Sequence, residues 1–363
     1  MKVLFDVFEL SPAGGKSMGI YHYAKEVWRA CVNDLPEDMH VVLVCHGENE
    51  HDFFGEHPQV TKVIRQRSTP SQWQRQQWLR WGAQALARAL GCGVYFSPKG
   101  FLPGLVGAPS GLKTCVVVHD LIPLWYAERW PGYFSTLELA VLRYELTRTC
   151  RHADRLVTIS QASADDILAR VPGAKRPAVV HNGLPLAPQH LVQPTRPPFI
   201  FAMASAYPHK NARVLLDGYQ CYRALSEHPL DLVVCGIDDP GLPGVQALKG
   251  ISAEALHGHY RAASLFVFLS LVEGFGFPPL EAMQHGTPVL CSDLPVLRET
   301  VCGNAFFVRP DCSSDIGAAI HEALSDAASE RRLQLRQVAP HVVGAYAWDR
   351  CAKGLLAQLR GLV

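Results

Sequence analysis

The sequence is expected to fold as an α/β protein with two doubly wound parallel-sheet domains. Three observations predict this. Short β-branched and aromatic runs alternate with helix-length stretches, and one proline-rich segment divides the chain near its middle. The length of 363 residues exceeds one typical domain and fits two of roughly 170 residues each, with 48% hydrophobic residues to fill both cores.

The first strand is read at Val3 to Phe8, followed by runs at 41–45 (VVLVC), 94–97 (VYFS), 114–119 (TCVVVH), 156–160 (LVTIS) and 178–181 (AVVH). Such runs separated by helical stretches indicate parallel strands joined by crossovers. Gly14, Gly15 and Gly19 follow the first strand. They either admit a ligand close to the backbone, with Gly19 leading into a helix from Ile20, or form a simple turn. His119 closes its run at a strand end, where such sheets bind ligands, with Asp120 beside it. It either faces that ligand or is a histidine held in place by a hydrogen bond. Ser163-Ala-Asp-Asp166 reads as a capping box.

Residues 71–90 (SQWQRQQWLRWGAQALARAL) read as a helix carrying three tryptophans with interspersed arginines. This is either a core-facing helix with a solvated basic side or a surface that meets lipid headgroups through Trp73, Trp78 and Trp81.

Residues 184–198 carry five prolines and no apolar periodicity, and mark the domain boundary. The expected domains are 1–190 and 198–346, with a final helical segment at 347–363. The second domain starts at Phe199 and continues through 230–236, 264–270 and 288–292 to Ala305–Val308. Two domains of this kind place the obvious cleft between them. In the last segment Trp348, Ala352, Leu355, Leu356, Leu359 and Leu362 share one helical face. It is expected to pack on the body of the protein, with a return to the first domain as one option.

Glu273-Gly-Phe-Gly-Phe-Pro-Pro-Leu-Glu281 carries the most chemistry. Ser264–Ser270 is strand-like, Pro278 and Pro279 suit a first helical turn, and Gly286 can stop the helix. A helix start offers unpaired N–H groups and partial positive charge, and Gly274 and Gly276 let the backbone approach an oxygen-rich ligand. A diphosphate fits there, whereas Glu273 and Glu281 would repel it and are better used as acceptors for sugar or ribose hydroxyls. Lys210 precedes Asn211, read as an N-cap, and the helix-like ARVLLDGYQCYRAL. A cation at a helix start is unfavourable unless an anion compensates it; the alternative is a solvated turn lysine. Asp238-Asp239 reads as a solvated turn.

A net charge of +1 argues against a nucleic-acid partner. The cysteines sit singly, with no C-x-x-C pair or zinc spacing, and read as reduced core residues. The start at Met1-Lys2 runs straight into a strand, unlike a signal peptide. No apolar run approaches the ~18 residues of a membrane span. Cytoplasmic residence is expected, extending to the inner face of the membrane if the tryptophan helix touches lipid.

Taken together, these residues resemble the family 4 retaining glycosyltransferases of the GT-B architecture, with two Rossmann-like domains. The E-x7-E segment with GFGFPP inside it, continuing as EAMQHGTPVLCSDLPVLRET, carries the resemblance. Gly14-Gly15 to Gly19-Ile20, His119-Asp120, Ser160, His181-Asn182-Gly183 and Pro208-His209-Lys210-Asn211 extend it nearly end to end. The resemblance implies sugar transfer from a nucleotide-diphosphate donor to a hydroxyl, with retained anomeric configuration and no metal or other cofactor.

By similarity, Glu281 holds ribose hydroxyls, Lys210 pairs with the diphosphate, and Glu273 with the backbone of Gly274, Phe275 and Gly276 holds the donor sugar. Gly19 lies on the donor side. His119 lies beside donor sugar or acceptor, and Asp120 and Gly15 lie on the acceptor side. His119, Glu273 and Lys210 are the candidate catalytic residues. An arginine common in the family a few residues before Lys210 is replaced here by Ala204-Ser205-Ala206-Tyr207, which leaves His209 or Arg213 to take its place. The run HDLIPLWYAERWP and the PHKN variant look closest to bacterial mannosyl- or rhamnosyltransferases of surface polysaccharide, so GDP-mannose is the expected donor and a glycan or lipid-linked acceptor the expected partner. The alternatives are a nucleotide-sugar epimerase on the same architecture, which needs no acceptor, and a non-catalytic sugar-nucleotide-binding subunit.

Overall fold

Every apolar run read in the first half becomes a strand of one all-parallel sheet. The computed structural model describes residues 1–11, 18–53, 56–106, 110–192, 194 and 196–362. Its strands are β1 (Lys2–Asp6), β2 (His40–Cys45), β3 (Val60–Ile64), β4 (Val94–Ser97), β5 (Lys113–Val117), β6 (Arg155–Thr158) and β7 (Ala178–Val179), in the order β3-β2-β1-β4-β5-β6-β7. Val3 pairs with Val41 on one side and Val94 on the other. The order reverses between β1 and β4, so connections leave on opposite faces and open a crevice at the strands' carboxyl ends.

The second sheet repeats the plan with β8 (Phe199–Met203), β9 (Asp231–Cys235), β10 (Val245–Leu248), β11 (Leu265–Phe268), β12 (Val289–Ser292) and β13 (Phe306–Val308), ordered β10-β9-β8-β11-β12-β13. Here the reversal falls between β8 and β11. Ile200, Leu232, Leu265 and Leu290 pack under Leu215, Tyr219, Ile316 and Ile320 of the covering helices Ala212–Leu225 and Ser313–Leu324. Strands β3 and β10 are the two that the sequence reading lacks. β3 and β10 are edge strands with largely exposed or half-exposed residues, so they show no buried alternation.

The chain divides into one unit of Met1–Gly183 with Ala347–Val363 and a second of Leu184–Tyr346. The terminal helix Trp348–Arg360 thus belongs to the first unit, where it packs on the helix Met18–Asn33 with Cys351, Ala352, Leu355, Leu356 and Leu359 buried.

The tryptophan segment is helical from Gln72 to Ala89 but contains a π-helical turn at Trp78–Gly82. Trp78 is core, packed on Phe8, while Trp73 and Trp81 are 69% and 55% exposed. The three tryptophans therefore do not form one surface. Trp78 also donates its indole N–H to Asp6 Oδ2 at 2.8 Å, beside the Tyr95 hydroxyl at 2.7 Å, while Asp6 Oδ1 accepts the Phe8 N–H at 3.1 Å. Burial pushes the Asp6 carboxyl up to about 6 against these bonds.

The capping box read at Ser163 is displaced: Ser160 is the cap, accepting the Ser163 N–H at 3.0 Å, and Ser163 lies inside the helix Gln161–Arg170. All eleven cysteines are free thiols, seven of them buried and only Cys302 exposed. Among the described residues, no helix is long and apolar enough to cross a membrane.

Candidate functional site

In the second unit, the loops after β8 and β11 come together at the strand-order reversal. The first makes a 3₁₀ turn at Pro208–Lys210, and the second carries Glu273. Lys210 Nζ lies 2.5 Å from Glu273 Oε1, and 5.4 Å from the centre of the Phe268 ring. The two side chains are 25% and 11% exposed, so the pair is partly shielded and still reachable from solvent. An ammonium has three donors, and Glu273 uses one of them.

Asn211 occupies the cap position before the helix Ala212–Leu225 but makes no side-chain cap. Its backbone is left-handed, at φ 57°, and its amide donates to the Pro310 carbonyl at 2.6 Å. It ties the lysine turn to the loop after β13 instead.

The helix Phe277–Gln284 starts after Gly276, whose φ of 89° is left-handed. A Cβ there would fall 2.4 Å from Leu297 Cδ2, so both backbone and space require glycine. Gly274 and Gly276 are buried, and Phe275 turns into the unit against Phe277 and Tyr346. The side chain of Phe275 thus anchors the loop. One turn into the helix, Glu281 Oε2 accepts the Tyr260 hydroxyl at 2.7 Å. Burial pushes the Glu281 carboxyl above its usual range, and the Tyr260 bond opposes this. At the end of β11, the buried Ser270 hydroxyl has no hydrogen-bond partner among the described residues.

In the first unit, His119 follows β5. Its Nε2–H donates to the Pro98 carbonyl at 2.8 Å, because a carbonyl can only accept, and its ring meets Tyr23 edge-on at 4.6 Å. Burial lowers His119 to about 4, so it is neutral near pH 7, with Nδ1 as its acceptor nitrogen. Asp120 Oδ1 accepts the Ile122 N–H at 2.9 Å and shapes the start of the helix Ile122–Arg129. Gly19 is the second residue of the helix Met18–Asn33, which therefore begins before Ile20. Gly19 is exposed, with open space where a Cβ would stand. Gly14 and Gly15 lie outside the described residues.

Of the two stand-ins for the replaced arginine, Arg213 is 94% exposed and pairs loosely with Asp217 on its own helix. His209 is lowered to about 4 by burial and by the charge of Lys210, so it is uncharged at neutral pH. Asp238 meets Lys249 at 2.5 Å, and Asp239 accepts the Gly241 N–H at 3.0 Å, the contacts of a surface turn. Sequence reasoning missed Tyr260 and Phe268. The only available signal was that a buried tyrosine needs a partner for its hydroxyl.

Residues 24–187 match the family described as Glycosyltransferase Family 4, and residues 186–341 match Glycosyl transferases group 1, so the two matches together cover most of the chain. The O-antigen chain mannosyltransferase RfbU of Salmonella typhimurium is 26% identical over 229 residues, 59% of this chain and 62% of that protein. Serotype-specific mannosyltransferase WbdA of Escherichia coli is 27% identical over 66% of this chain but only 32% of its own length. O-antigen chain mannosyltransferase B of Escherichia coli is 28% identical over 71% of each. The match thus spans about three fifths of the first of these relatives and about one third of the second. Among solved structures, sucrose-phosphate synthase from Thermosynechococcus elongatus superposes with a TM-score of 0.70 at 17% identity, over 99% of this chain and 98% of that one. HepE from Anabaena, in complex with UDP and glucose, gives 0.68 at 16% identity over the whole of both chains.

Proposed function

The chain belongs to the family 4 glycosyltransferases and has their GT-B architecture of two Rossmann-like sheets, and from that premise we propose that it transfers mannose from GDP-mannose to a hydroxyl of a glycan or lipid-linked acceptor with retention of configuration. One observation carries the reading: at the strand-order reversal of the second sheet, Lys210 of the loop after β8 meets Glu273 of the loop that opens the Phe277 helix. The mannosyltransferase relatives support the choice of sugar.

Breaking the donor C–O bond develops positive charge at the anomeric carbon and negative charge on the diphosphate. Catalysis here is preorganised electrostatics: Lys210 and the backbone N–H groups of the glycine loop up to Phe277 meet the departing phosphate, since Pro278 and Pro279 leave the helix start few donors of its own. Glu273 keeps the ammonium in place and offers its other oxygen to donor hydroxyls, and Glu281 accepts from ribose. His119, neutral with an acceptor nitrogen, receives a hydroxyl hydrogen bond without carrying charge. No carboxylate is assigned to a covalent intermediate, and the acceptor attacks from the face the phosphate leaves. A lipid-linked acceptor would be met by Trp73 and Trp81, with Trp78 excluded by its burial.

A thermal-shift screen of nucleotide sugars, followed by acceptor-dependent turnover and NMR of the product anomer, tests the reading. The expected result is a shift with GDP-mannose and an α-linked product. The absence of a shift with every nucleotide would sink it, and product formed without acceptor would favour an epimerase.

A further inference from the structure

The hydrogen bond from His119 Nε2–H to the Pro98 carbonyl fixes one corner of the imidazole. One bond does not fix the ring plane, and a pivot about it would swing Nδ1 away from a substrate hydroxyl. A second contact opposes that pivot. The Tyr23 ring, on the helix Met18–Asn33, stands against the imidazole at 89° with 4.6 Å between ring centres. Tyr23 is 2% exposed, and its hydroxyl is buried without a hydrogen-bond partner among the described residues. Packing therefore places this ring, and its hydroxyl does not.

The packing comes from the terminal helix. Its first residue, Trp348, meets Tyr23 at 6.1 Å and 60°. The chain re-enters the first unit at Ala347, one residue earlier, and leaves it at Gly183. These two places touch: a Cβ on Gly183 would fall 2.3 Å from Trp348 N and 2.5 Å from Trp348 Cγ. Gly183 thus leaves Trp348 no room to back away from Tyr23. The rest of the helix is anchored through Cys351, Ala352, Leu355, Leu356 and Leu359, so it does not need the indole to stay docked.

We propose that Trp348, acting through Tyr23, is a positioning residue for His119: the two rings form a wall that keeps Nδ1 aimed in one direction. The use of that aim in catalysis rests on the transferase reading; the support of the imidazole does not. The same wall keeps water out. Only burial and the Pro98 bond act on the acidity of His119. The groups around it bring no unbalanced charge. Tyr23 and the thiols that neighbour it, Cys31, Cys115 and Cys351, are all raised by burial and stay protonated at neutral pH. Lys99, next to Pro98, pairs with Glu9, and Asp120 Oδ1 accepts the Ile122 N–H. Loss of the wall should therefore return His119 towards its ordinary value of about 6.5.

Long-range proton–nitrogen NMR of the full chain reads the imidazole directly, with its signals assigned through His119→Gln. In the wild type His119 should hold one tautomer, protonated at Nε2, and should not titrate above about pH 5. Trp348→Leu and Tyr23→Leu should give a mixture of tautomers and a titration moved towards about pH 6.5. Trp348→Phe and Tyr23→Phe keep a ring at each place and should behave as the wild type. In the two leucine variants kcat should fall about tenfold, with an acid limb in its pH profile and an unchanged KM for the donor. Leu359→Ala loosens the helix about 16 Å from Trp348 and should leave His119 as it is. Unchanged His119 signals in both leucine variants overturn the proposal. An equal shift in Leu359→Ala, or the loss of wild-type signals in the phenylalanine variants, overturns it as well. Shifted signals with full turnover would uphold the wall and instead remove His119 from the transferase reading.

Discussion

Lys210 and Glu273, 63 residues apart in sequence, meet at 2.5 Å, and each explains the position of the other. The carboxylate that would repel a phosphate holds the cation that attracts one. Lys210→Ala should weaken nucleotide-sugar binding by about 10–100-fold, the range of a lost charge-assisted contact. Glu273→Gln should leave nucleotide affinity within a few fold and reduce turnover. A double-mutant cycle by titration calorimetry should return a coupling of about 1–2 kcal/mol. Strict additivity would mean that the pair does not act as a unit.

Tyr260→Phe removes the one hydrogen bond that favours the ionised form of Glu281 while keeping the ring that packs against Phe201 and Phe266. The Glu281 carboxyl, already raised by burial, should rise further. If ionised Glu281 binds ribose, nucleotide affinity should fall on acidification at a higher pH in the variant than in the wild type. Stability should drop by about 1 kcal/mol. Superimposable binding profiles would remove Glu281 from the ribose contact.

His119 is lowered to about 4, so its charge does not change across the usual assay range. The rate of transfer should show no inflection from this residue near pH 6.5, the ordinary histidine value. His119→Ala should slow transfer more than it weakens donor binding. The linkage sign is that stability contributed by neutral His119 is present above the ordinary value and is lost as pH falls towards 4.

Asp6 works in the opposite sense. Its folded value of about 6 lies above the ordinary carboxylate value of 3.8, so its contribution is present below that range and is lost as pH rises through about 6. The full change is on the order of 3 kcal/mol. Asp6→Asn should flatten this part of the stability profile in urea melts between about pH 4 and pH 7. At the acid end it should be less stable by about 2 kcal/mol, because its amide NH₂ faces an incoming donor. An unchanged slope would place the Asp6 proton elsewhere.

Much of the second unit was legible because its chemistry is local. Glu273 and Glu281 bracket a glycine turn and a proline-started helix, and the helix Ala212–Leu225 coincides with ARVLLDGYQCYRAL. Contacts that close over long separations left no such trace. Tyr260 reaches Glu281 from a different helix, and Glu9 meets Lys99 across 90 residues. Of the two readings of the tryptophan helix, spacing alone could have separated Trp73 from Trp78: five residues turn an α-helix by about 140°, and the π-helical turn begins only at Trp78. Asn211 did carry a signal, since asparagine is enriched in left-handed backbone, but its position before a helix favoured the cap reading.

The sequestered thiols make the protein its own recorder of breathing motions. Burial pushes Cys115, Cys150 and Cys351 up to about 12, and Cys291 well above its usual range. At neutral pH roughly one sulfur in 10⁵ at the first three sites is in the nucleophilic form. Alkylation there must wait for local opening, with Cys115, Cys150 and Cys351 timing the first unit and Cys291 the second, while exposed Cys302 marks the rate of the unprotected reaction.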